Sequence, residues 1–416
     1  MIDSVIKKTG VEPRDYQYNI VKKTVDLFAG RHVGISGHTY PAAKSVMIEA
    51  PTGSGKTVMA HLIAKSLEET YGDDVAFGWI AMRSNLLTQA AHENRDLGIN
   101  VKNIHYVSMF NKRPDELLQA KRDGKKVVMI VDEAQHDASS SSANLHNLVE
   151  PEMILGLTAT PFRTDKVKLC FDHIVKDAGI HRLIQDGYLS KYRHFTIPEW
   201  TPEAVADHYC AEPERWGKSV VFFFEWQDVE RFKDIIRERE SEIMARLRQT
   251  RPDLRLDRSL VETVRGGGSK SDYDARDRLL SDFDNGDVGI LANCVVLTEG
   301  FDAPTLETAF VRDSSKGPTM QMAGRAFRVH PQWKNAGEER FKLKNVVQSV
   351  LTRYPILKTA LPAEQYIWRD DNWISLTINP HIDKINSRCR MAIAQTQVHM
   401  PEFIQKRKSK KRVVRF

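Results

Sequence analysis

The chain has 416 residues, with 61 Lys plus Arg against 55 Asp plus Glu and a formal net charge of +6. The last 16 residues, 401–416, hold seven basic side chains and one acid, so the preceding 400 are formally neutral. That distribution excludes a uniformly basic coat of the histone type and leaves local patches plus one basic tail as grips for nucleic acid. Taken in chain order, short apolar β-branched runs predict strands at 45–49, 76–81, 126–131, 153–157, 219–224, 288–291 and 308–311. Helical patterns fall between them at 57–70, 84–92, 228–247 and 275–283. Strand, helix, strand at this spacing predicts α/β architecture with parallel sheets. Two series of strands occur, with a linker expected around 186–200, giving domains at 1–190 and 191–340. After about residue 340 the pattern turns irregular, and 341–416 reads as a C-terminal extension ending in the basic tail.

Apolar runs such as 220–224 are far too short to span a bilayer, so no membrane partner is expected. The first residues lack the apolar segment of a secretory signal. Cys170, Cys210, Cys294 and Cys389 form no C-x-x-C pair, which predicts neither a disulfide framework nor a zinc site. A cytoplasmic location is the expectation, in the host cytoplasm if the chain is viral. The run at 266–268 has three glycines but no following Gly-Lys-Ser/Thr, and it reads as a turn.

The strongest local signal is Ala50-Pro51-Thr52-Gly53-Ser54-Gly55-Lys56-Thr57, between a predicted strand and a predicted helix. That is the context of a phosphate-binding loop, although Ala50 stands where the general pattern has glycine. The glycines let backbone N–H groups turn toward phosphate oxygens at the positive end of the new helix. Lys56 is expected to reach the β- and γ-phosphates of ATP, and the Thr57 hydroxyl to ligate Mg²⁺. A second buried-strand pattern, 126–131, ends in Asp132-Glu133-Ala134-Gln135. Asp132 is expected to hold Mg²⁺ through water, and Glu133 to polarise the attacking water.

These and further motifs, in order, resemble the superfamily 2 helicases. Asp132 to Gln135 resembles the DExx box, with Gln135 where many relatives have His or Asp. Arg14-Asp15-Tyr16-Gln17 is similar to the glutamine motif that recognises adenine; Arg14 and Tyr16 either flank the base or are a surface cation and a core ring. The segment 81–89 resembles motif Ia, Val107-Ser108 motif Ib, 157–161 motif III, 219–224 motif IV, 297–302 motif V and 321–328 motif VI. The resemblance covers 13–329, about three quarters of the chain. It looks closest to compact prokaryotic and phage helicases of the repair and restriction-type branch, through Leu183-Ile-Gln-Asp-Gly-Tyr-Leu189 and the motif V phrase.

The resemblance implies two tandem RecA-like domains with a split ATP site. Lys56, Asp132 and Glu133 would lie on the first domain and Gln321, Arg325 and Arg328 on the second. The i, i+3 spacing of the two arginines places both on one helix face, from which they would stabilise γ-phosphoryl charge, a contribution on the order of 10³-fold or more. Gly300 and Asp302 would link the nucleotide site to nucleic acid, and Arg83, Gln89, Ser108 and Thr298 would contact its phosphates. Trp368 and Trp373 either stack on bases or pack the extension onto the second domain. The implied function is an ATP-dependent DNA helicase or translocase in replication, recombination or repair, acting on single-stranded or branched DNA. The alternatives are an RNA helicase and a non-unwinding translocase subunit of a restriction or repair complex.

Overall fold

The structure is a computed structural model that describes residues 2–34, 37–136, 140–160, 171–252, 254–267, 270–294, 296–298, 301, 303–329 and 343–376. The expected basic tail lies outside the described residues, as do Pro161, Gly300 and Asp302.

Helices α1 (Ile2–Thr9) and α2 (Asp15–Phe28) precede β1 (Ser45–Glu49). There follow α3 (Lys56–Tyr71), β2 (Val75–Ala81), α4 (Ser84–Asp96), β3 (Ile104–Ser108), α5 (Asp115–Arg122) and β4 (Lys126–Val131). Then come α6 (Ser140–Val149), β5 (Met153–Thr158), β6 (His173–Val175) and α7 (Ile180–Gln185). These strands form a parallel sheet in the order β3-β2-β4-β5-β1-β6. Its strands are apolar on both faces because helices cover both; every residue of Val75–Ala81 is buried.

The second half begins with β7 (Lys191–Ile197), α8 (Pro202–Ala211), α9 (Pro213–Trp216), β8 (Ser219–Phe222), α10 (Trp226–Glu238) and α11 (Glu240–Thr250). It continues through β9 (Ser259–Val264), α12 (Lys270–Asn285), β10 (Val288–Asn293), β11 (Thr308–Phe310) and α13 (Lys316–Gly324). It ends with β12 (Leu343–Ser349), β13 (Glu364–Arg369) and β14 (Asn372–Leu376). The second sheet runs β14-β13-β7-β12-β11-β8-β10-β9, parallel except for the β13–β14 hairpin.

Three expectations are corrected here. The linker expected at 186–200 contains β7, an interior strand paired with β12 and β13. The expected boundary at residue 340 cuts through the second sheet, because β12 lies between β7 and β11. The single helix expected at 228–247 is two helices, broken at Arg239 (φ −107°, ψ 4°), whose guanidinium pairs with Asp207 at 2.8 Å. The break lets Ile243 and Leu247 of α11 reach the core.

The two tryptophans pack the extension onto the second domain. Trp368 and Trp373 have ring centroids 5.0 Å apart and close over His208, while Trp373 meets Phe195 edge-on at 5.0 Å. Such edge-to-face contacts stabilise beyond the apolar area they bury.

Candidate ATP site between the two sheets

The loop after β1 turns on Gly53 and Gly55, both left-handed with φ of +83° and +77°. A side chain at either would be strained there. Gly55 caps α3, so the exposed first N–H groups of that helix open onto the cleft. The loop is anchored at both ends. The Ala50 N–H is donated to the Thr158 carbonyl at the end of β5 (2.9 Å). The Ser54 carbonyl accepts from the Tyr16 hydroxyl (2.7 Å) and from Gln17 Nε2 (2.8 Å). Gln17 Oε1 in turn accepts the Arg14 N–H (2.9 Å). Tyr16 is thus a core ring that braces the loop, whereas Arg14 and Gln17 line the cleft.

The cleft, of about 920 Å³, is lined from the loop by Thr52, Gly53, Gly55, Lys56 and Thr57, from the end of β4 by Asp132 and Glu133, and from the second domain by Arg325 and Arg328. Ala50, Pro51 and Ser54 support it from behind; Ser54 is fully buried. Lys56 Nζ donates to the carbonyls of Ala50 (3.3 Å) and Pro51 (3.4 Å), curled within its own loop. Burial holds this ammonium below its usual range, although Glu133 and Asp132 pull the other way. Burial, and next the Glu133 carboxylate, push the Asp132 carboxyl above its usual range. Glu133 adopts a left-handed backbone (φ +50°), an uncommon state for a non-glycine residue. A hydrogen-bonded chain runs from this box into β5: Gln135 Nε2 donates to Glu133 Oε2 (3.0 Å), and the Thr158 hydroxyl donates to Gln135 Oε1 (2.6 Å). The Thr160 N–H closes the chain on the Thr158 hydroxyl (2.9 Å).

The second domain reaches the loop directly. A methyl group placed on Gly53 would lie 3.0 Å from Arg328 Cδ, and one on Gly324 would lie 3.5 Å from Thr52 Cβ. Arg325 is buried and donates to the Phe301 carbonyl. The two arginines lie just past α13, on a turn rather than on the helix expected. Helix α13 ends at Gly324, and the next three N–H groups bond three residues back, to Met322, Ala323 and Gly324. That tightened turn still aims both guanidinium groups into the cleft. Gln321 is buried within α13 and does not line the cleft.

The expected nucleic-acid contacts are scattered. Gln89 lies on α4, lines the ATP cleft and donates to Glu93 Oε1 (3.0 Å). Arg83, at the start of α4, donates across the domains to the Val296 carbonyl (2.9 Å). Ser108 ends β3 and accepts the Phe110 N–H (3.3 Å). Thr298 closes a 3₁₀ turn, Val296–Thr298, and its side chain is outside the description. Cleft residues that the sequence reading missed are Ser84, Thr88, His92, Glu93 and Asp96 of α4, together with Asp277 of α12 and Phe301. Helical spacing could have signalled those on α4, whereas nothing local marks Asp277 or Phe301. Among the described residues, no helix is long and apolar enough to cross a membrane, and no cluster of three or more His, Cys, Asp or Glu could hold a metal ion.

Two tandem parallel sheets, a phosphate-type loop on one and arginines of the other in a shared cleft define the RecA-like motor architecture. The comparisons agree. Residues 10–113 and 93–163 match the family described as "Type III restriction enzyme, res subunit". The chain is 22% identical over 286 residues to a 51.5 kDa protein of Lactococcus phage (isolate 7-9), covering 62% of this chain and 56% of that one. It is 22% identical over 366 residues to the putative ATP-dependent helicase IRC3 of Saccharomyces cerevisiae, covering 78% of this chain and 51% of that one. The chain therefore spans about half the length of the curated relatives it matches. In fold it is similar to S. cerevisiae Dbp5 bound to RNA and ADP BeF3, with a TM-score of 0.52, 15% identity, and coverage of 88% of this chain and 93% of that one. In sequence and in fold the chain is therefore similar to the superfamily 2 helicases.

Proposed function

We propose that the chain is an ATP-dependent DNA helicase or translocase that couples ATP hydrolysis to movement along DNA or its remodelling. The observation that carries this reading is the convergence of Lys56, Asp132 and Glu133 with Arg325 and Arg328 on one cleft between two domains. Each half of the site is incomplete alone, so closure on ATP and reopening after hydrolysis would change the spacing at which nucleic acid is gripped. The residues also suit a divalent cation. The adjacent, mutually repelling carboxyls of Asp132 and Glu133, in one cleft with Thr57, are a hard-oxygen set that Mg²⁺ would neutralise. Thr57 and, through water, Asp132 would hold it, and the ion would supply charge neutralisation at the β- and γ-phosphates. Glu133 would orient the attacking water, and Lys56 would leave its loop carbonyls for the phosphates.

DNA is favoured by the match to a restriction-enzyme subunit and by the phage relative, which also suits host cytoplasm. Contacts of the Ser108 and Thr298 type would position the backbone without reading bases. The restriction-subunit match equally favours a second reading, a translocase that moves without separating strands.

The test is ATP turnover with single-stranded DNA, branched DNA and RNA, alongside strand displacement. Stimulation by RNA alone would overturn the DNA assignment, and turnover without displacement on any fork would select the translocase. Lys56→Ala and Glu133→Gln should each abolish hydrolysis; activity surviving in either means the site is misplaced. Deleting 405–416 should flatten the salt dependence of DNA binding, by about 0.9 in slope for each phosphate contact removed.

A further inference from the structure

The segment Leu183-Ile-Gln-Asp-Gly-Tyr-Leu189 has no role in the mechanism above. It ends α7 and leads from the first sheet into β7 of the second. The N–H groups of Tyr188 and Leu189 both bond to the Leu183 carbonyl, at 2.8 and 3.0 Å, which fixes the turn. The turn sets Tyr188 against Arg14, whose guanidinium carbon lies 4.6 Å from the centre of the Tyr188 ring. Arg14 is held on a second side, donating from Nη1 to the Tyr16 hydroxyl (3.2 Å), and the Tyr16 and Tyr188 rings lie 5.5 Å apart. Arg14 lines the cleft beside Gln17, whereas Tyr188 does not. The next two residues reach the phosphate end of the same cleft. Leu189 lies 3.1 Å from where a Gly53 methyl would sit, and the Ser190 hydroxyl donates to the Arg328 carbonyl (2.9 Å).

We propose that Tyr188 is a positioning residue for the nucleobase, acting through Arg14. A guanidinium stacked on one ring and tied at one nitrogen is pre-organised, so little side-chain freedom remains to be lost when a base meets it. Base affinity then depends on an element strung between the two domains. That same element also holds the main chain of Arg328, so the base end and the γ-phosphate end of the cleft share one support. This inference rests on the reading of the cleft as an ATP site.

The experiment measures binding of a non-hydrolysable ATP analogue and of inorganic tripolyphosphate, which has no base, to the full chain and to its Tyr188→Ala and Tyr188→Phe variants. Tyr188→Ala should weaken the ATP analogue roughly 3- to 30-fold, the range set by loss of a cation–π contact, and leave tripolyphosphate unchanged. Tyr188→Phe keeps the ring face and should bind like the wild type. Unchanged affinity of Tyr188→Ala for the ATP analogue would overturn the proposal. An equal loss for both ligands would also overturn it, since that marks a purely structural role. A wild-type chain that binds neither ligand would sink the ATP-site reading, and this inference with it.

Discussion

The Arg83 guanidinium donates a hydrogen bond to the Val296 carbonyl, 2.9 Å away and 213 residues along the chain. It ties the turn after β2 to the turn after β10, so one strand end of each sheet is linked across the cleft. A charged donor on a backbone carbonyl is worth about 1.5–3 kcal/mol when sheltered from water. Arg83→Gln should therefore lower kcat at saturating DNA about 10- to 100-fold while leaving the salt slope of DNA binding unaltered. A phosphate contact would show the reverse, a slope reduced by about 0.9 with kcat intact. Measuring turnover and binding at several salt concentrations separates the two.

Gly53 meets two demands at once. Its φ of +83° excludes an ordinary side chain, and its open face receives Arg328 and Leu189. Gly53→Ala should cost about 1–2 kcal/mol in backbone strain alone. It should also push Arg328 off the loop, so kcat should fall further than the melting temperature implies. Thermal unfolding and single-turnover hydrolysis on the same preparation test this; a loss of stability with hydrolysis intact would show that Arg328 does not act from this position.

The Gln135–Thr158 bond, at 2.6 Å, joins the acidic box to the end of β5. If the pair acts as a unit, Gln135→Ala and Thr158→Val should each lower kcat about 10-fold, and the double variant should be no worse than either. Kinetics of the three variants form a double-mutant cycle. Additive losses would mean that the two side chains act independently.

His61 on α3 is fully buried and stacks on Trp79, with ring centroids 4.5 Å apart. Burial pushes its imidazole down to about 4. Between the unfolded value near 6.5 and the folded value near 4, the unfolded chain binds the extra proton, so stability falls as pH drops through that window. This stability is fully present above pH 6.5. His61→Phe keeps the stacking and removes the proton site, so it should flatten the acid limb by about 2 kcal/mol between pH 6.5 and 4.5. Denaturant titrations of both proteins across that range measure it; parallel limbs would refute the assignment.

What can be read from the sequence follows from how locally each feature is encoded. The loop from Ala50 to Thr57 needs fixed residue types at fixed offsets, so it stands out, and β1, β4 and β8 stand out through their apolar content. Strand β7 is hidden because Lys191, Arg193 and His194 look like surface chain. It becomes an interior strand through its ladders to β12 and β13, where His194 finds Gln348 (3.1 Å), a partner 154 residues away. Tyr188 is hidden for the same reason, since its contact with Arg14 joins opposite ends of the first domain. Arg325 and Arg328 both line the cleft, but from the tighter turn that follows Gly324 rather than from the helix that their spacing suggested.

The position of β12 has a consequence for how the protein is made. Residues 191–340 contain β7 and β8 to β11, yet β7 touches none of those strands; β12, residues 343–349, is the strand that joins it to β11. During synthesis the second domain must wait, with two apolar strand edges open, until this late segment leaves the ribosome. Entry of β12 is thus one late event that seals the facing edges of β7 and β11 at once, and β13 and β14 then cover the other edge of β7.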